Sequence, residues 1–319
     1  MKQRTLFAVA FVAAAVLAGT PAARGSDRIR NIVLEEVLSI GGLNEETLFQ
    51  WTGVTADDEG FIYVLDALDY SLKKFDVRGK LLKKAGGKGQ GPGEFMAPRL
   101  LDGWGNLLYA TDQNAASIYV FDRNLAFKRM IPCPSLIEHL KALADGRVAV
   151  SVFGFQEPGR ILILNGDGKR LSEIAYADQG SSPLMDSISF APDGQGHFYI
   201  AYLFQDRVEK WTAEGKRLWG AKLLGGKKAG TKKIASFVVP GETCLKGIAL
   251  DGRGHVFVLG GRLAKNPSRD VFVLSGDGEL LTTFTLPDTS HCLYIDRAHF
   301  LYARGDDGIT LKKYRIVYE

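Results

Sequence analysis

Residues 53–66 read GVTADDEGFIYVLD, and residues 247–260 read GIALDGRGHVFVLG. Each is a short apolar strand, a tight turn built on Asp and Gly, and a second apolar strand. The unit recurs as LLDGWGNLLYATD (100–112), LADGRVAVSV (143–152), SFAPDGQGHFYIAY (189–202) and YIDRAHFLYAR (294–304). Its second strands are expected to begin near Phe61, Leu107, Val148, Phe198, Val256 and Phe300, at intervals of 46, 41, 50, 58 and 44 residues. A period of that length holding several strands is the signature of a propeller.

Every unit continues alike. A third strand follows in SLKKFD (71–76), SIYVFD (117–122), RILILN (160–165), RVEKWT (207–212), DVFVLS (270–275) and ITLKKY (309–314). Most then turn through RGK, GDGK, AEGK or GDGE into a fourth strand. Asp, Asn and Gly supply the turn conformations that branched residues resist. Four short antiparallel strands make one blade. The last unit lacks a fourth strand, while NIVLEEVLSIGG (31–42) is a strand without a unit. The expected fold is therefore all-β, a six-bladed propeller with four antiparallel strands per blade. The N-terminal strand completes the last blade and removes the open edges of a linear array. A doubly wound α/β fold needs helices between its strands. The best helical candidate, residues 134–145, is short. Seven blades is the nearest rival, because the long interval 198–256 has room for extra elements.

The chain has 319 residues, of which 46% are hydrophobic and 24% charged, an ordinary globular composition. Residues 1–25 read as a signal peptide, with Lys2 and Arg4 ahead of an apolar run at 6–18 and small residues after it. That leaves 26–319 as the propeller and places it in the periplasm or outside the cell. Without residues 1–25, 37 Lys and Arg face 36 Asp and Glu. So even a balance argues against nucleic-acid binding. No other apolar run is long enough to span a bilayer, so the mature chain is expected to lack a transmembrane segment, and the propeller is expected to be a monomer. Cys133, Cys244 and Cys292 fit neither a disulfide framework nor zinc spacing. Cys244 and Cys292 either approach each other from adjacent repeats or remain buried thiols.

The stretch GGKGQGPGEFMAPRLLDGWGNLLYATD (86–112), followed by SIYVFD (117–122), resembles the NHL-repeat propellers of exported bacterial proteins. The resemblance covers roughly residues 30–319. It implies a six-bladed fold and leaves function open, since that family includes binding modules, scaffolds, lyases and lactonases. Ser151, Tyr202 and Arg304 depart from the pattern, standing near where Asp66 and Asp112 stand in other blades.

Ligands of propellers meet the central channel or a loop face. By repeat phase, Trp51, Arg99, Glu138, His139, Asp186, Lys246 and His291 stand where inner strands start, and they are the candidate ligand-binding residues. His197, His255 and His299 share another phase, on turns of the opposite face. The resemblance implies a lyase or lactonase site with a channel zinc or calcium as the alternative. His139 and His291 with Glu138 or Asp186 are the available donors. Neither donor set is complete, so no cofactor is expected. Asp66 and Asp112 end second strands, where Asp accepts local backbone hydrogen bonds. The Gly-rich loop 86–93 lacks the G-K-[ST] ending of a P-loop. Lys227, Lys228, Lys232 and Lys233, with Lys83, Lys84 and Lys88, suggest a basic rim for an anionic partner. The leading expectation is a non-catalytic binding or scaffolding propeller with a protein, peptide or glycan partner. A metal-dependent hydrolase or lyase with its site in the channel is the alternative.

Overall fold

The computed structural model describes residues 29–43, 47–48, 50–112, 116–152, 158–177, 183–234 and 237–319. The signal-peptide reading of residues 1–25 lies outside the described residues. The chain begins with β1 (Ile32–Ile40). Blade one is β2 (Trp51–Ala56), β3 (Ile62–Asp66), β4 (Ser71–Phe75) and β5 (Leu81–Gly86). Blade two is β6 (Pro98–Trp104), β7 (Leu107–Asp112), β8 (Ser117–Asp122) and β9 (Phe127–Pro132). Blade three is β10 (Ile137–Ala142), β11 (Val148–Val152), β12 (Arg160–Leu164) and β13 (Arg170–Ala175). Blade four is β14 (Ile188–Pro192), β15 (His197–Tyr202), β16 (Val208–Thr212) and β17 (Arg217–Ala221). A separate hairpin, β18 (Thr231–Ile234) and β19 (Phe237–Pro240), precedes blade five. Blade five is β20 (Leu245–Leu250), β21 (Val256–Gly260), β22 (Asp270–Leu274) and β23 (Leu280–Thr285).

Blade six holds β24 (Tyr294–Ile295), β25 (Phe300–Arg304) and β26 (Leu311–Tyr318), and its fourth strand is β1. β1 pairs antiparallel with β26 from Ile32↔Tyr318 to Ile40↔Leu311. The ring closes as the sequence predicts. The hairpin β18–β19 accounts for the long interval before blade five, and its two strands pair only with each other. Residues 137–142 of the helical candidate form β10, and residues 144–146 a single 3-10 turn.

The hydrophobic core is divided among the blade interfaces. Tyr63 and Leu65 of β3 pack on blade two with Phe95, Leu101 and Leu108. Ile62 and Val64 of the same strand pack on blade six with Tyr302 and Leu311. Alternate side chains of a strand face opposite ways, so a strand between two neighbours is apolar on both faces. The same division recurs between the other blades. Strand β5, at the outer edge, is mostly exposed.

The Asp of the repeat builds the turn between first and second strands. Asp57 Oδ1 accepts from the amides of Glu59 and Phe61, both at 3.0 Å. Asp193 and Asp251 accept in the same way from Gln195 and His197, and from Arg253 and His255. The second carboxylate oxygen reaches up the next strand, to Tyr63 from Asp57 and to Tyr302 from Asp296. The acids of these turns are fully engaged in shaping them.

Candidate functional site

The inner strand of each blade starts at one mouth of the channel. Its register slips there in four blades, at Thr52, Arg99, Glu138 and Lys246. A bulge at a strand start re-aims the side chain it carries. Three of these four positions are predicted site residues, and the structure shows what the re-aiming does.

Most of the bulged groups tie one blade to the next. The Thr52 hydroxyl lies 3.5 Å from the Pro98 carbonyl. An Arg99 guanidinium nitrogen donates to the Ile137 carbonyl at 3.3 Å. Glu138 accepts from Ser187 and from the Ile188 amide. The Cys244 amide donates to the Leu203 carbonyl at 2.7 Å. Lys246 Nζ donates to His291 Nδ1 at 3.0 Å. The Arg304 guanidinium donates to the Trp51 carbonyl, and its carbon lies 4.6 Å from the Trp51 ring centroid. Arg304, which stands where the repeat has Asp in other blades, thus joins blade six to blade one.

A pocket of about 120 Å³ remains inside this ring, and all six blades line it. Trp51, His139, Lys246 and His291 belong to its wall, with Lys141, Ser189 and Tyr294. Arg99, Glu138 and Asp186 do not. Asp186 is buried in the 3-10 turn of residues 183–186 ahead of the blade four inner strand, with the Gln205 amide 3.5 Å away. Sequence phase missed Lys141, Ser189 and Tyr294. Lys141 stands two residues after His139, and strand alternation was the signal that could have found it.

Among the described residues, the pocket wall carries two ammonium groups and no carboxylate. His139 Nε2 pairs with the Ser189 hydroxyl at 3.2 Å, and its buried Nδ1 has no partner among the described residues. Burial, reinforced by the charges of Lys141 and Arg99, pulls the His139 pKa down to about 3. Burial also lowers that of His291, and the charges of Lys246 and Arg304 lower it further. Both rings are neutral at physiological pH. Because Lys246 donates to its Nδ1, His291 keeps its proton on Nε2. Burial and then Arg262 lower the Lys246 pKa. Burial raises that of Glu138 against the pull of Ser187 and Arg99.

The donors needed for a channel metal do not converge. Among the described residues no group of three or more His, Cys, Asp or Glu side chains is placed to hold an ion. His139 and His291 share the pocket, whereas Glu138 is turned to Ser187 and Ile188. The described residues do not bring together the donors of a lactonase-like or lyase-like metal site. Cys133, Cys244 and Cys292 are free thiols.

No protein-family model and no curated protein matches the sequence. Solved structures do. A member of the DUF4221 family from Bacteroides vulgatus is similar at 12% identity and TM-score 0.60, over 91% of this chain and 100% of that one. Virginiamycin B lyase from Staphylococcus aureus is similar at 12% identity and TM-score 0.55, over 90% and 100%. The WD40 propeller domain of Doa1 is similar at 11% identity and TM-score 0.55, over 88% and 96%. At these identities the likeness is one of fold. It reaches across several propeller families and singles out no NHL membership.

The other predicted residues take structural places. Asp66 accepts from the Gln50 and Leu68 amides and from buried Lys73. Asp112 accepts from the Met96 and Ala97 amides. His197 and His255 bond their own turn aspartates, Asp193 and Asp251. His299 Nδ1 accepts the Gly252 amide of the neighbouring blade. Lys83 and Lys84 are engaged within blades one and two, with the Asn124 carbonyl and Asp69. Lys232 and Lys233 stand exposed on β18. Lys227 and Lys228 line a depression on blade four.

Proposed function

We propose that the protein is a non-catalytic binding propeller of the cell envelope or exterior, which captures a protein or peptide partner by one acidic group seated at the channel mouth. The observation that carries this reading is the pocket wall, with Lys141 and Lys246 facing no acid. At about 120 Å³ it is well below the ~300–1,000 Å³ of pockets that enclose a whole small molecule. It suits the tip of something larger, such as an Asp or Glu side chain or a C-terminal carboxylate. The Lys141 and Lys246 ammonium groups and the Nε2–H of His291 are the polar groups available to it. The ring of inter-blade ties fixes these groups before any ligand arrives, which lowers the ordering cost of binding.

Fluorescence anisotropy with labelled pentapeptides tests the reading. A peptide ending in free Glu should bind, and its amidated Gln counterpart should bind at least about tenfold more weakly. The Lys141→Gln/Lys246→Gln double variant should lose the difference. Equal binding of both peptides, or binding indifferent to the two lysines, would sink the proposal. So would metal-dependent turnover of lactones or cyclic depsipeptides at ordinary enzyme rates.

A further inference from the structure

The lysines after blade four have no part in the channel pocket. Lys227 and Lys228 line a second depression, of about 280 Å³, at the outer edge of blade four. Arg207, Arg217 and Lys222 complete its basic wall, and among the described residues Asp206 and Glu209 are its only acids. The wall therefore carries five cations against two anions.

Both acids are consumed by the fold. Asp206 is buried, and its carboxylate accepts the amides of Leu223, Leu224 and Gly226 at 2.7, 2.9 and 2.7 Å. It thereby folds the loop that carries the lysines. The same loop is held to blade four by a bridge between Gln205 and Lys228. Glu209 is buried too, and accepts from Tyr202, Trp211, Arg207 and Arg217 at 2.8–3.0 Å. Seven donors thus saturate the two carboxylates. Lys222, Lys227 and Lys228 remain exposed around a shaped hollow. Among the described residues, Lys227 Nζ reaches a carbonyl, that of Leu263, at 3.3 Å and no acid.

We infer that this depression binds a compact, multiply charged phosphate ester. Three ammonium groups act as point charges, which suits phosphate oxygens from any direction. Arg207 and Arg217 each give one guanidinium nitrogen to Glu209, at 2.8 and 3.0 Å, which leaves the ammonium groups as the main attraction. No aromatic ring lines the hollow. A stacking platform of the kind that holds sugars and bases is therefore missing, which disfavours an acidic glycan or a nucleotide base. The volume accommodates a phosphorylated headgroup. The same chemistry can be presented by an anionic lipid or by a soluble ester.

Calorimetric titration of the purified protein with pyrophosphate is the primary test. Saturable binding is expected, about tenfold weaker in Lys222→Gln/Lys228→Gln. Lys232→Gln/Lys233→Gln, on the neighbouring hairpin, should bind as the parent does. These lysines are exposed, so the variants are expected to fold, and circular dichroism checks that. Sedimentation with phosphatidylcholine vesicles containing phosphatidic acid separates the sources. Vesicle binding, lost in the Lys222/Lys228 variant, assigns the site to a lipid headgroup, whereas pyrophosphate binding alone assigns it to a soluble ester. The inference is overturned if pyrophosphate fails to bind, if the pocket variant binds undiminished, or if tetragalacturonate binds as tightly as pyrophosphate. None of these lysines lines the channel, so failure here leaves the peptide reading standing, and the reverse.

Discussion

Glu138 and His139 are neighbours in sequence and opposites in environment. Repeat phase places both at the channel mouth, but successive side chains of a strand point to opposite faces. The slip between Ile137 and His139 gives Glu138 to the blade four interface and His139 to the pocket. A bulge follows from pairing with another strand, so the sequence of β10 alone does not reveal it. The burial of His139 has a measurable consequence. Its pKa falls from 6.5 to about 3 on folding. Below pH ~6.5 the unfolded chain takes up a proton that the folded chain refuses, so stability falls as pH drops from ~6.5 towards ~3. The slope approaches about 1.4 kcal/mol per pH unit, or on the order of 2 kcal/mol by pH 5. Urea unfolding at pH 7 and pH 5 should show this loss in the parent and a smaller one in His139→Asn. A His139 imidazole that titrates near 6.5 by NMR in the folded protein would contradict the assignment.

The turn between third and fourth strands is the element the sequence predicts most securely. Asp76, Asp122 and Asn165 each accept from the amides two and four residues on. One residue later than the first of these amides, and at the matching place in blades four and five, the backbone is left-handed, at Gly79, Gly168, Gly215 and Gly278. These residues are readable because the backbone itself demands them. Blade two puts Leu125 there, at φ 59°. Leu125 is buried between blades one and two. Burial contributes about 1.5–3 kcal/mol, which offsets the ~1–3 kcal/mol of a strained conformation. Leu125→Gly should therefore shift stability by no more than about 2 kcal/mol, less than an ordinary buried Leu truncation of about 2–5 kcal/mol. Gly278→Ala has no such compensation. Its φ is +88°, and a Cβ would stand 2.8 Å from the Trp219 ring. A loss of about 1–3 kcal/mol is expected, read by denaturant unfolding. If Leu125→Gly costs as much as an ordinary buried Leu truncation, this account of the turn fails. Blade two's other turn, at Gly103–Gly105, departs in a different way. Trp104 projects there, with the Arg297 guanidinium 3.7 Å from its ring centroid, a contact no repeat phase announces.

Across the whole molecule, stability depends on closing the circle. Each apolar cluster lies between two blades, so a ring with a missing strand leaves one interface incomplete. The number of blades was legible because the unit repeats, and the closing strand because β1 had no unit of its own. The hairpin β18–β19 was the harder element, since a spare pair of strands in sequence does not say whether it founds a blade. Closure rests on eight aligned pairs between β1 and β26, on buried Ile32 and Ile40, and on the Glu35–Arg315 and Glu36–Lys312 ion pairs. The Glu35–Arg315 pair is exposed and the Glu36–Lys312 pair partly so, and both add little. The backbone ladder and the two isoleucines are the main contributions. Removing residues 1–41 should therefore expose the full edge of β26, and such an edge recruits other chains. The truncated protein is expected to elute as oligomers and to melt below the parent. A synthetic peptide of residues 29–42 should restore the monomer by adding the missing strand, and a scrambled peptide should not. A truncated chain that stays monomeric with an unchanged melting temperature would mean that side-chain contacts between blades close the ring without β1.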